Sequence, residues 1–319
     1  MSLRIVLLGT GEFALPPFRA LIESADHTVV GVYTQPERSG RGHHSHVNKV
    51  KSLAEDHDVA VFQPERVNAP EVIEELRSLN ADVFIVAAYG QIMKPEFLAI
   101  PRLGAFNLHG SLLPRHRGAA PVQYSIWKGD ADAGVTIFQI EPSLDSGPMV
   151  GKVSSPIGPK ETSGKLMLRL AELSVDLTLD VIAQLDNQSA VFEPQDTSKV
   201  TLSPKIKKEE GVINWQKSAA EIDCHVRAMN PWPKASTWLH TVGRKPLRCI
   251  LLDAEPVAGA CLRAPAGTID VSEKQFWVHT ADGVLNVLSL QPEGKKAMDG
   301  MAFLNGYGIA KGAVFKSEA

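Results

Sequence analysis

The stretch AFNLHGSLLPRHRGAAP, residues 105–121, carries an amide, an imidazole and a sharp turn within a few positions. Residues i and i+2 of a strand share a face, so Asn107 and His109 point the same way at the end of an apolar run. The carboxamide of Asn107 can donate to a carbonyl oxygen as it becomes an oxyanion, and His109 can exchange a proton near neutral pH. GSLLP is too irregular to continue the strand and can present backbone groups to a planar ligand. A carboxylate comes from EPSLDSGPMV (141–150), where Asp145 lies in a turn bounded by Pro and Gly. Such a neighbour fixes the tautomer of an imidazole and raises its pKa. Spacing alone leaves a bland alternative open: a satisfied core His and Asn, and a solvent-facing turn Asp.

Holding such groups requires a sheet. LRIVLLG (3–9), HTVVGVYT (27–34), VAVFQ (59–63), ADVFIVAAYG (81–90) and GAFNLHG (104–110) read as strands, apolar or β-branched nearly throughout. That composition suits a sheet covered on both faces. Residues 13–24, 48–57 and 69–79 read as helices; NAPEVIEELRSL offers Asn68 as a cap, Pro70 early and Glu in the first turns. The alternation predicts an α/β, mostly parallel, doubly wound Rossmann-like sheet, whose ligands bind at the carboxyl edge where Asn107 and His109 would sit. Two further strands at 133–141 and 147–157 and a long helix at 162–186 follow. The polar, proline-containing stretch 187–206 reads as a linker. Beyond it, one helix (218–229) and β-like runs at 236–241, 247–257, 275–280 and 284–290 predict a small β-rich domain with barrel character. The expected division is 1–188, a linker 189–206, and 207–319.

At 319 residues and a net charge of −3, the chain can form two ordinary cores and projects no global positive field toward nucleic acid. Three cysteines without metal-ligand spacing, no signal-peptide pattern and no apolar run near the roughly 20 residues of a membrane span lead us to expect a cytoplasmic protein. GTGEF (9–13) lacks the third glycine of a dinucleotide fingerprint, and no acidic residue closes the next strand, so it reads as a tight turn. The segment TQPERSGRGHHSHVNK (34–49) exceeds the usual strand-to-helix loop of about 2–6 residues. Its His43, His44 and His46 lack a carboxylate or Cys at matching spacing, so no metal is expected. Arg38, Arg41, Lys49 and Lys51, with two glycines, suit an adaptable basic arm for a phosphate backbone.

FNLHGSLLPRHRGAAP with the later LDSGP resembles the formyltransferases that use 10-formyltetrahydrofolate. The resemblance implies that fold, with a smaller C-terminal β-barrel-like, OB-like domain. It also implies a reactive trio of Asn107, His109 and Asp145, and a folate-contacting turn at Ser111, Leu112, Leu113 and Pro114. Val86, Tyr89 and Gln91 match the region lining the pterin pocket. The single-domain glycinamide ribonucleotide branch has no counterpart to residues 207–319. The methionyl-tRNA branch is similar nearly end to end, through GTGEFALPPF, TQPER with GRG, QDTSKVTLSPKIKKEEGVINW (195–215) and AMNPWPKASTW (228–238). That likeness implies formyl transfer to methionyl initiator tRNA, by a monomer using 10-formyltetrahydrofolate and no metal, with Arg38, Arg41 and Lys205 gripping the acceptor arm. Two positions depart from the pattern: HHSHVNK replaces a Lys/Pro-rich end of the inserted loop, and His116 stands where Trp is common. A sugar-nucleotide amine formyltransferase shares the trio but lacks the basic insertion. A catalytically silent tRNA- or folate-binding protein is the reading from a different class.

Overall fold

Nearly every residue of the first strand, β1 (Arg4–Gly9), is buried, which is why its sequence is apolar on both faces. The computed structural model describes residues 2–37, 47–259, 264–272, 275–309 and 312–318. β1 is followed by α1 (Leu15–Ile22), β2 (Thr28–Tyr33), α2 (Lys49–Glu55), β3 (Val61–Phe62), α3 (Pro70–Ser78), β4 (Val83–Ala87), α4 (Pro95–Leu98) and β5 (Ala105–His109). Then come β6 (Arg117–Gly118), α5 (Pro121–Trp127), β7 (Asp132–Gln139), β8 (Met149–Pro156), α6 (Ser163–Asp186) and β9 (Leu202–Ser203). The main sheet runs β3-β2-β1-β4-β5-β7-β8. Its first five strands are parallel, and β7 and β8 join antiparallel beyond β5. This is the doubly wound arrangement expected from the alternation of strands and helices.

One face of the sheet packs Val6, Leu8, Tyr33, Phe84 and Val86 against Val72, Ile73 and Leu76 of α3 and Phe97 of α4. Burying each large side chain stabilises the fold by about 1.5–3 kcal/mol. The start of α3 differs from expectation. Ala69 occupies the N-cap position, without a side-chain bond, and Pro70 is the first helical residue. Asn68 instead donates to the Ile92 carbonyl and accepts from the Lys94 N–H, because the loop after β4 needs those partners.

The remaining elements are α7 (Ala219–Ala228), β10 (Ala235–His240), β11 (Leu247–Pro256), β12 (Ile269–Ser272), β13 (Gln275–His279), β14 (Val284–Pro292), β15 (Met298–Asp299), α8 (Gly300–Tyr307) and β16 (Val314–Lys316). Ser218 and Glu221 form a capping box that starts α7. The antiparallel sheet runs β12-β13-β14-β11-β10-β16, with β15 paired to β14. Its two ends meet through a Thr268–Val314 bridge and a hydrogen bond from the Phe315 N–H to the Gly267 carbonyl (2.8 Å). That closure gives the sheet the barrel character read from its short, punctuated strands.

By contacts the chain forms two compact units. One comprises 1–121, 132–156 and 167–204; the other comprises 122–131, 157–166 and 205–319. Residues 189–204 of the expected linker thus cluster with the first unit. Among the described residues, no helix is long and apolar enough to cross a membrane.

Candidate active site

β5 ends at the carboxyl edge of the parallel sheet, and all its residues are buried except Asn107. Asn107 lies between Val86 of β4 and Phe138 of β7. None of the described residues hydrogen-bonds its carboxamide, which remains available to a ligand. Two positions on, His109 is 4% exposed and sits edge-on to Phe138. Its Nε2 lies 2.9 Å from the His116 carbonyl. A carbonyl only accepts, so Nε2 carries the proton and, in the neutral ring, Nδ1 holds the lone pair. Nδ1 faces Asp145 Oδ2 at 3.8 Å, longer than a hydrogen bond. His109 and Asp145, from distant stretches, thus face one another at the strand end where Asn107 lies two positions earlier.

Burial pushes the His109 pKa down, and this outweighs the upward pulls of the Asp145 carboxylate and the His116 carbonyl. The expected rise is thereby corrected: the desolvation of an almost fully enclosed ring exceeds one carboxylate at 3.8 Å. The resting imidazole is neutral near neutral pH.

Asp145 has a left-handed backbone, φ 45°, which is uncommon for a residue with a side chain. Two bonds hold it and a third holds its turn. Oδ2 accepts from the Gly118 N–H (2.7 Å), and its own carbonyl accepts from Gln195 Nε2 (2.8 Å). Gln195 also donates to the Gly147 carbonyl (2.9 Å). Gly118 has φ 127°, and a Cβ there would approach the Ser203 carbonyl at 2.5 Å, so only glycine brings this N–H to Asp145.

The turn after β5 is stapled from below. Ser111 Oγ donates to the Arg115 carbonyl (2.7 Å), and Thr136 Oγ1 donates to the Ser111 carbonyl and accepts from the Leu113 N–H. Lys152 Nζ donates to the Leu113 carbonyl. Ser111 and Leu113 are buried, whereas Leu112 and Pro114 are half-buried with open edges. Val86 and Tyr89 lie in the core of the first unit, the Tyr89 hydroxyl without a partner among the described residues. Gln91 is committed to the 64–67 loop, accepting from the Val67 N–H and donating to the Pro64 carbonyl. Lys205 is exposed, and Arg38, Arg41, His43, His44 and His46 lie outside the described residues. Among the described residues, no group of His, Cys, Asp and Glu is placed to hold a metal.

Sequence reasoning missed the segment that supports the site. Thr201 Oγ1 accepts from the His116 N–H, and Ser203 Oγ donates to the His116 carbonyl that orients His109. The two-residue strands β6 and β9 pair in parallel beside them. One signal was available: Thr201 and Ser203 are two apart and so face the same way in an extended chain. The His116 side chain is itself buried, with Nδ1 3.4 Å from Thr201 Oγ1.

Burial also lowers the pKa of His225, whose Nε2 donates to the Glu210 carbonyl. The folded chain thus resists protonation at two imidazoles that the unfolded chain protonates near its ordinary value of about 6.5. A depressed folded pKa contributes stability that is present above the unfolded value and lost as pH falls toward the folded one. We expect thermal unfolding midpoints to decline from pH 7.5 to 5.5, with up to about 1.4 kcal/mol lost per pH unit for each imidazole. A midpoint that is flat or rising over that interval contradicts neutral, buried rings.

Among solved structures, the fold is similar to that of WlaRD, "a sugar 3N-formyl transferase in the presence of dTdp and 5-N-Formyl-THF" (16% identity, TM-score 0.64, 93% of this chain and 100% of that one). It is also similar to an N-formyltransferase from Helicobacter canadensis complexed with folinic acid and dTDP-3-aminofucose (16%, TM-score 0.62, 90% and 99%). HypX from Aquifex aeolicus in complex with tetrahydrofolic acid matches at 15% identity and TM-score 0.59, over 96% of this chain and about half (48%) of that protein. At the level of sequence families, residues 3–182 match the model described as "Formyl transferase", and residues 205–308 match "Formyl transferase, C-terminal domain". With both regions matched in that order, the chain belongs to the formyl transferase family.

Proposed function

We propose that the chain transfers the formyl group of 10-formyltetrahydrofolate to the α-amine of methionyl initiator tRNA. The observation that carries the chemistry is the approach of His109 Nδ1 to Asp145 Oδ2, 3.8 Å, on the strand edge that also presents the Asn107 carboxamide, unpartnered among the described residues. The amine nitrogen forms a bond to the formyl carbon as the carbonyl π pair moves onto oxygen, and Asn107 donates to that oxyanion. The surplus proton on the attacking nitrogen passes to the neutral Nδ1 of His109. The resulting imidazolium stands between the His116 carbonyl and the Asp145 carboxylate, both of which favour it. As the bond from carbon to N10 breaks, the proton goes to N10 and tetrahydrofolate leaves.

Relatives of this fold carrying 5-N-formyl-THF, folinic acid or tetrahydrofolic acid support a folate donor. The half-buried Leu112 and Pro114 offer it apolar edges. Exposed Ile92 follows β4, the parallel neighbour of β5, and so adjoins the same sheet edge. Ser111 and Leu113 shape the turn from beneath. The acceptor is argued from sequence: the basic insertion with Arg38 and Arg41, and the QDTSKVTLSPKIKKEEG stretch with Lys205, suit a phosphate backbone.

The solved structures favour a second reading, transfer to the amine of a sugar nucleotide, because two of the similar proteins are N-formyltransferases with a dTDP ligand. Purified protein is to be assayed with 10-formyltetrahydrofolate against methionyl initiator tRNA and against dTDP-amino sugars. Formylmethionyl-tRNA is the expected product. Formylation of the amino sugar alone replaces the tRNA reading, and transfer to neither leaves a binding protein.

A further inference from the structure

Gln195 lies in the stretch that reads as linker, yet it is only 9% exposed and all of its hydrogen-bonding capacity is directed at the Asp145 turn and its support. Arg117 donates to Oε1 from both Nε (3.0 Å) and Nη2 (2.8 Å). That pair fixes which end of the amide is oxygen, so Nε2 is aimed at the carbonyls of Asp145 and Gly147 (2.8 and 2.9 Å). The segment is itself anchored two residues earlier, where Glu193 and Met149 exchange two main-chain hydrogen bonds of 2.8 Å. We propose that Gln195 is a positioning residue, holding the left-handed Asp145 turn so that its carboxylate faces His109. This rests on the reading of Asn107, His109 and Asp145 as the reacting groups.

Two features separate this from simple space-filling. A buried amide could be replaced at equal volume by Met, which has no N–H for the two carbonyls. A Glu would keep the bonds from Arg117 but set an oxygen against those carbonyls, opening the turn. Either change frees a backbone conformation that Asp otherwise seldom adopts. The titratable groups that face His109 are Asp145 and His116, so displacing the Asp145 turn removes the carboxylate's upward pull and lowers the midpoint of the ring.

The test uses the full chain with Gln195→Met, Gln195→Glu, Arg117→Met and Val191→Ala, the last an exposed residue of the same segment. For each, kcat and KM for formyl transfer are measured, together with the His109 titration by imidazole NMR. Gln195→Met and Gln195→Glu are expected to lower kcat by about 10- to 10²-fold, with KM for both substrates within about twofold and a lower His109 midpoint. Arg117→Met, which frees the amide to rotate, is expected to do the same more weakly, and Val191→Ala to do nothing. A folded Gln195→Met protein with wild-type kcat and an unmoved His109 titration overturns the proposal. Should that variant fail to fold, an unmoved His109 titration in Arg117→Met overturns it equally. If the wild-type protein transfers formyl to neither acceptor, the proposed reaction fails, whereas the NMR arm still decides whether Gln195 sets the carboxylate.

Discussion

Asn107→Ala is expected to lower kcat by about 10²–10³-fold, the usual cost of one lost donor to a developing oxyanion. The reason lies in β5, where Asn107 is the one residue not fully buried and its carboxamide has no partner among the described residues. An amide left free on an otherwise enclosed strand contributes little to folding, so its removal should leave the thermal midpoint close to that of the parent. Binding of the folate and of the acceptor should also persist, because the donor acts on charge present only during transfer. Steady-state kinetics with both substrates varied checks this. A variant with unchanged kcat removes Asn107 from the oxyanion, and one with raised KM and normal kcat makes it a binding residue instead.

Asp145→Asn is the second large effect, about 10²–10⁴-fold in kcat, the range spanned by proton transfer through a positioned group. The substituted side chain can still accept from the Gly118 N–H, so the turn survives. Because the oxygen that takes that bond is the one 3.8 Å from His109 Nδ1, the ring then faces a neutral amide oxygen in place of the carboxylate that favours its protonated form. A second consequence tests the same geometry. The carboxylate pulls the His109 pKa upward against burial, so its loss moves the acid limb of kcat/KM to lower pH. A profile unmoved on the pH axis, with kcat within twofold of the parent, would show that the Asp145 carboxylate does not support proton uptake by His109.

The first five strands and the long helix were legible from residue order, because strands covered on both faces must be apolar along their length and a 24-residue helix repeats its pattern many times. Asn107 and His109 were legible for a related reason: two polar residues spaced by two at the end of such a strand have to face one edge. The short helix α5, the final helix α8 and the two-residue strands β6 and β9 were not, since each is too brief to show a period. Nor was the support of the site. Gln195, Thr201 and Ser203 find their partners 48 to 87 positions away, and a polar residue satisfied by a distant backbone looks, in sequence, like one satisfied by water.

What sequence by itself determined, then, was the kind of sheet, the edge at which chemistry would sit, and the types of side chain available there. Tertiary structure alone decided that Asp145 reaches His109, that a stretch resembling a linker holds it there, and that the imidazole is neutral. The physical reason is that proximity and desolvation depend on the whole fold around a group. A neighbouring carboxylate argues for a raised pKa, and only the enclosure of the ring shows that burial prevails.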